Sequence, residues 1–248
     1  MLTAVVLTHN EQKHLPDCLR SLAWAPEVLV FDSFSTDETV SLARAAGARV
    51  AQRTFDHYAG QRQAALEAAG SEWVLFVDAD ERVPAALAEE IQAVLPKPAP
   101  GWWVPRHNFL FGRLTVYAGW YPDYQLRLLR QALARYEASR PVHEVAVLDS
   151  PLEPGYLSQP LVHLNYDTIE EFVKKQAQYA RYDASRLNLA GDRARLHNFI
   201  LQPLRQFYWR LVTLKGWRDG WHGLRLSGLM AYFEWQKYRE LGRLQKMS

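Results

Sequence analysis

One cysteine in 248 residues, Cys18, is too few for an internal disulfide framework, and that scarcity suits a reducing compartment. Cys18 falls on an apolar position of an expected helix, so it reads as a buried thiol and not as a nucleophile. No apolar run approaches the roughly 18 residues of a membrane span. The N-terminus, MLTAVVLTHNEQKHL, lacks the basic segment and long apolar stretch of a signal peptide. The expectation is a protein made and kept in the cytoplasm. No Gly-x-Gly-x-x-Gly follows the first apolar run, which argues against a dinucleotide-binding dehydrogenase. A nucleotide-sugar-forming nucleotidyltransferase would need a glycine-rich basic loop there to hold triphosphate, and His9-Asn10-Glu11 stands in its place. Internal repeats and low-complexity segments are also absent.

What is present is a globular composition, 48% hydrophobic and 23% charged, of a length that fits one domain, or one domain with a sizeable appendage. The net charge of +2 hides an asymmetry. Residues 193–248 carry 11 Lys/Arg against 3 Asp/Glu, whereas residues 1–192 carry 18 against 24. A basic, aromatic-rich tail on an acidic body calls for a partner-based explanation.

The first hundred residues alternate strand and helix patterns. Strands are expected at Thr3 to Thr8, Val28 to Asp32, Arg49 to Gln52 and Trp73 to Val77. Helices are expected around Leu15 to Leu22, after Ser35, over Tyr58 to Ala69, and after Pro84. Ser35 and Glu38 have the spacing of a capping box, with Ser35 as N-cap and the helix ending near Gly47. Such alternation predicts a parallel α/β sheet that binds ligands beyond the carboxyl ends of its strands. From Lys97 the helical rhythm stops, and strands are expected at Gly101 to His107, Tyr124 to Arg130 and Val142 to Leu148. From Thr168 the chain is expected to be helical, with breaks near Gly191, Pro203 and Gly216 to Gly223.

Three polar clusters fall at expected strand ends. In Val74-Leu75-Phe76-Val77-Asp78-Ala79-Asp80-Glu81 a buried strand opens into several carboxylates. Grouped anions without counter-charge are costly, and a hard divalent ion such as Mg²⁺ or Mn²⁺ resolves the cost while also binding diphosphate oxygens. The competing reading is a solvated acidic turn before a helix. Thr8-His9-Asn10-Glu11 follows the first strand, where small and amide side chains can bond a nucleobase or ribose, or simply cap a helix. Asp32 closes the second strand, where it could accept from a uracil N–H.

These clusters, in this order, resemble the family 2 glycosyltransferases, whose fold is the nucleotide-sugar-binding GT-A type. VVLTHNE resembles the usual opening, FDSFSTDET the second element, and DADE the metal motif; Gly60 to Ala65 is similar to the stretch that brings a basic residue towards the donor. GWYPDYQLRLLR (Gly119 to Arg130) and RPVHE (Arg140 to Glu144) resemble the branch of lipopolysaccharide inner-core glucosyltransferases. The chain departs from the usual pattern at Ser33, Phe34 and Gln63.

The resemblance implies that Thr8, Asn10, Glu11, Asp32 and Arg62 surround the nucleotide. Asp78 and Asp80 would serve the metal and diphosphate, with Asp80 the more direct ligand. It also implies inverting transfer of a hexose from a UDP-sugar to a cell-envelope glycan of lipopolysaccharide-core type, with Mn²⁺ or Mg²⁺. Such a displacement is helped by a carboxylate that accepts the acceptor's proton. Glu144 is the first candidate, with pairing to Arg140 or Arg127 as its alternative role, and Asp123 is the second. His143 would complete the metal shell or serve as an ordinary loop histidine.

The expected layout is a GT-A domain over 1–166 and a helical extension over 167–248. Within that domain, 1–97 is the donor half and 98–166 a mixed-sheet acceptor half. Residues 199–217 interleave apolar and aromatic side chains with arginines, the pattern of a helix lying on an anionic membrane surface or packing on the core. Nucleic-acid binding is not expected, since no recognised module accompanies the basic patch. A non-catalytic membrane adaptor is the rival reading, and it predicts no metal-dependent donor binding.

Overall fold

The computed structural model describes residues 1–137 and 145–247. Its elements run β1 (Leu2–Thr8), α1 (Leu15–Ser21), β2 (Glu27–Asp32), α2 (Thr39–Ala45), β3 (Arg49–Gln52), α3 (Tyr58–Ala69), β4 (Trp73–Asp78), β5 (Glu81–Arg82) and α4 (Ala85–Val94). Strands dominate next: β6 (Gly101–Leu110), β7 (Arg113–Thr115), β8 (Asp123–Arg130), β9 (Ala134–Arg135), β10 (Val147–Leu148), β11 (Gly155–Tyr156) and β12 (Leu161–Tyr166). Helices α5 (Ile169–Leu189), α6 (Asn198–Tyr208) and α7 (Trp221–Met247) complete the order. The chain divides into two compact units, Met1–Arg106 with Tyr124–His163, and His107–Asp123 with Leu164–Ser248. Residues 107–123, expected in the acceptor half, thus group with the C-terminal helices.

The first unit is built on a sheet of order β3-β2-β1-β4-β8-β6-β12-β5. β3, β2, β1 and β4 are parallel, and β8 joins β4 antiparallel. Sheet alternation sends Ala4, Val6, Leu75 and Val77 to one face, where Leu15, Cys18, Leu87 and Ile91 cover them. Val5, Val74 and Phe76 point to the other face, against Ala59, Ala65 and Leu66 of α3. Burial on both faces explains why β1 and β4 read as continuous apolar runs. Gly70 ends α3 at a φ of +67°, a left-handed C-cap that costs glycine little.

The expected cap at Ser35 is not formed. α2 starts at Thr39, with Glu38 as N-cap. The buried Asp32 carboxylate takes the Ser35 N–H, at 2.9 Å, and the Ser35 hydroxyl proton, while Ser35 Oγ accepts from the Asn10 N–H at 2.9 Å instead of from a helix N–H. Pro203, expected to break a helix, lies inside α6. Residues 142–144 of an expected strand lie outside the described residues, and β10 accounts for Val147–Leu148.

The second unit has its own core, in which Leu110, Tyr166, Phe172, Leu226 and Phe233 pack with Phe111, Trp120 and Met230. α5 opens with a complete capping box: Thr168 accepts from the Glu171 N–H while the Glu171 carboxylate accepts from the Thr168 N–H. Among the described residues no helix is long and apolar enough to cross a membrane.

Candidate functional site

Parallel pairing decides which residues meet at the carboxyl edge of the sheet. Thr8 lies opposite Asp32, Leu7 opposite Asp78, and Asp32 opposite Gln52. The loops after β1, β2 and β4 therefore start side by side, where open α/β sheets bind ligands.

Asp32 ties the first two loops together. It is fully buried and accepts from the Thr8 hydroxyl at 3.0 Å, the Gln52 amide at 2.9 Å, and both donors of Ser35. Burial pushes its pKa up, but the bonds from Ser35, Gln52 and Thr8 outweigh burial and hold it below the usual carboxylate range. Its oxygens are thus engaged within the protein. Asn10, in a left-handed conformation (φ 59°), donates its N–H to Ser35 Oγ at 2.9 Å and accepts from the Thr36 N–H at 2.8 Å. Its side chain otherwise stays exposed. Phe34 also has positive φ, at 55°, and a half-exposed ring.

A second group of charges sits at the end of β4. Arg127 of β8 reaches both Asp78 oxygens and, at 3.1 Å, Glu81 Oε1. Arg62 of α3 donates to Asp78 Oδ1 at 3.2 Å, its guanidinium 5.4 Å above the Phe76 ring. Arg106 of β6 donates to Glu81 at 3.2 Å, and Glu81 in turn accepts from the Asp78 N–H at 2.9 Å. Burial raises the Asp78 pKa, yet Arg127 and Arg62 outweigh it and keep the group ionised. Burial likewise works against the Arg127 charge, and Asp78 and Glu81 restore it.

Asp80 stands apart from this arginine cluster. Antiparallel pairing of β12 with β5 sets His163 opposite Glu81, and His163 Nε2 lies 3.4 Å from Asp80 Oδ2. Glu11 experiences the other side of the same charge. Its pKa is raised to about 7, first by burial and then by repulsion from Asp80, Asp37 and Asp78. A carboxylate beside an imidazole supplies two donors of the kinds that divalent cations accept, and the repulsion that Glu11 feels from Asp80 and Asp78 marks an acidic edge that a cation would relieve. Among the described residues no cluster of three or more such side chains forms a full ligand set. Mg²⁺-type sites commonly use one or two protein ligands and take the rest from substrate phosphates.

Of the residues expected from sequence, Thr8, Asn10, Glu11, Asp32, Arg62, Asp78 and Asp80 all belong to the carboxyl edge of the first unit. Asp123 belongs to the second unit, where it accepts from Asn108 at 3.1 Å. Glu144 and His143 lie outside the described residues. Sequence reading passed over His163 and Arg106, and it weighed Arg127 only as a partner for Glu144. The available signal for His163 was the alternation in Leu161-Val162-His163-Leu164-Asn165-Tyr166, which puts a histidine on the inward face of a strand.

A parallel half-sheet with loop carboxylates at its edge, continued by an antiparallel strand, is the arrangement of the GT-A fold. Glucosyl-3-phosphoglycerate synthase of Mycobacterium tuberculosis, solved with Mn²⁺, uridine diphosphate and glucosyl-3-phosphoglycerate, shares this fold. Its TM-score is 0.50 at 19% identity, and the match covers 77% of this chain and 80% of that one. The model of Glycosyl transferase family 2 matches residues 3–116. The lipopolysaccharide core biosynthesis glycosyltransferase LpsC of Rhizobium meliloti is 32% identical over 235 residues, spanning 90% of this chain and 84% of the relative. An uncharacterized glycosyltransferase of Rickettsia bellii is 35% identical over 94 residues, 38% of this chain and 32% of its own. The chain belongs to glycosyltransferase family 2.

Proposed function

We propose that this glycosyltransferase moves a hexose from a UDP-sugar, with inversion, onto a cell-envelope glycan of lipopolysaccharide-core type. The observation that carries this reading is the Asp80–His163 pair beside Glu11, at the edge where the loops after β1, β2 and β4 begin. The similarity to LpsC over most of both chains supports the acceptor class.

Each residue then has a distinct task. Thr8 and Asn10 belong to the loops that hold the nucleoside, and Asp32 fixes the shape of those loops through its bonds to Thr8 and Ser35. Asp80 and His163 would hold the divalent ion, which when bound supplies positive charge against the departing diphosphate. Asp78 is committed to Arg62 and Arg127, so its part is to keep those cations in place and not to ligate the ion. The acceptor hydroxyl attacks the anomeric carbon, a new C–O bond forms as the bond to UDP breaks, and a carboxylate takes the hydroxyl proton. Glu144 is assigned this last role, with Asp123 as the alternative, and E144Q and D123N assayed in parallel decide between them.

The decisive experiment measures thermal stabilisation by UDP with and without Mn²⁺. The wild-type protein is expected to gain stability only with both present, and Asp80→Asn to lose that gain without a lower midpoint of its own. UDP stabilisation that ignores Mn²⁺ in both proteins would refute the metal assignment. A chain that binds no nucleotide sugar at all would favour the non-catalytic adaptor.

A further inference from the structure

We infer that α6 and its flanks form a surface that lies flat on an anionic phospholipid membrane. Within α6, Ile200, Leu204 and Tyr208 recur every four residues and so share one face, with Leu201 beside them, and Leu196 and Val212 flank the helix at its two ends. Their side chains are 45% to 90% exposed, and no residue of α6 is buried. The inner face is already used. Phe199, Gln202, Gln206 and Phe207 are half-buried, and the Phe199 ring lies against α7 near Gly242. This helix therefore packs by its mixed face and turns its apolar face outward, the reverse of a helix serving only its own core.

Charge identifies the occupant. Residues 193–218 hold six Lys/Arg and no Asp/Glu; Arg210 turns inward to the Ala118 carbonyl, and the other five are exposed. A protein partner of matching shape would not require that uniform sign, whereas a bilayer rich in anionic headgroups attracts it at every position. Trp217 and Trp221, 58% and 77% exposed just beyond the stripe, are residues that favour the membrane–water boundary. With no helix among the described residues fit to span a bilayer, the contact is one of lying on the surface. This surface belongs to the second unit and stands whether or not the donor assignment holds.

The test uses the full chain, sedimented with vesicles of phosphatidylcholine alone or with about a quarter phosphatidylglycerol. The protein is expected to pellet with the phosphatidylglycerol vesicles, to bind the neutral ones several-fold less, and to be partly released by high salt. Leu201→Glu combined with Leu204→Glu is expected to weaken partitioning tenfold or more, since each leucine loses its burial in the acyl boundary. Its thermal midpoint should match that of the wild type, so that lost binding is not lost folding. Equal partitioning of variant and wild type, or no binding to anionic vesicles, overturns the inference. So does self-association in sedimentation velocity that the variant abolishes while vesicles bind neither protein, because the face would then serve a second copy. None of these readouts needs a sugar donor, so this surface and the transferase reading fail separately.

Discussion

Burial first, and then repulsion from Asp80, Asp37 and Asp78, raises the Glu11 carboxyl to a pKa of about 7. The unfolded chain releases that proton near the ordinary value of 4.5. Between these two values the folded state binds more protons than the unfolded one, so stability falls as pH rises through this window and levels off above it. Glu11→Gln removes the titration. Its stability advantage over wild type should be near zero below pH 4.5 and grow to about 1–2 kcal/mol above pH 7, reduced from the full shift by solvent screening. Urea unfolding at a series of pH values measures this, and parallel curves for the two proteins would contradict it. The residue scale also explains what the sequence hid. Asp80 and Asp78 look equivalent in Asp-Ala-Asp, yet one is held by two guanidinium groups and the other faces an imidazole.

At the scale of elements, β4 and β8 meet through Arg127, whose side chain is 5% exposed, while Glu81 is fully buried. Replacing Arg127 by Met keeps much of the volume but leaves Glu81 with Arg106 and Asp78 with Arg62 as their remaining cations. Breaking a buried ion pair from one side typically costs about 3–5 kcal/mol, and that loss is expected in urea unfolding of Arg127→Met. A cost below about 1 kcal/mol would show that water reaches the cluster and solvates it. Thr168→Ala tests a smaller device. Loss of the α5 capping box should cost about 1 kcal/mol, checked in the same way, with Thr168→Ser restoring most of it. These elements mark the limit of what local pattern reveals. Apolar runs bounded by turn residues located β1, β2 and β4 to within a residue, because most of each strand is buried and the runs are nearly continuous, whereas β3, at the partly exposed sheet edge, gave a weaker pattern at the same place. Ser35 misled because capping-box spacing says nothing of the buried Asp32 carboxylate three residues upstream or of the Asn10 N–H from the neighbouring loop, which engage the same hydroxyl. β5 was missed because a two-residue strand has no period, and without it nothing local shows that β12, whose own alternation is present, pairs there and brings His163 to Asp80.

Over the whole molecule, the two compact units have separate cores, and that separation has a measurable consequence. Phe172 is fully buried in the second core. Its ring lies 5.1 Å from Tyr166, 5.7 Å from Phe111, 6.0 Å from Phe233 and 6.3 Å from Trp120. Truncation to alanine opens a cavity at the centre of that aromatic group and is expected to cost about 3–5 kcal/mol. The β1, β2 and β4 amides rest on cores that contain no member of the Phe172 cluster. Hydrogen exchange on Phe172→Ala should therefore show faster opening concentrated in α5, α6 and α7, with β1, β2 and β4 keeping most of their protection. UDP with Mn²⁺ should restore little protection to the helices, since the residues assigned to the donor belong to the first unit. Uniform loss of protection across both units would mean that the chain unfolds as one cooperative body, in which case Phe172 supports the donor edge as much as the helices.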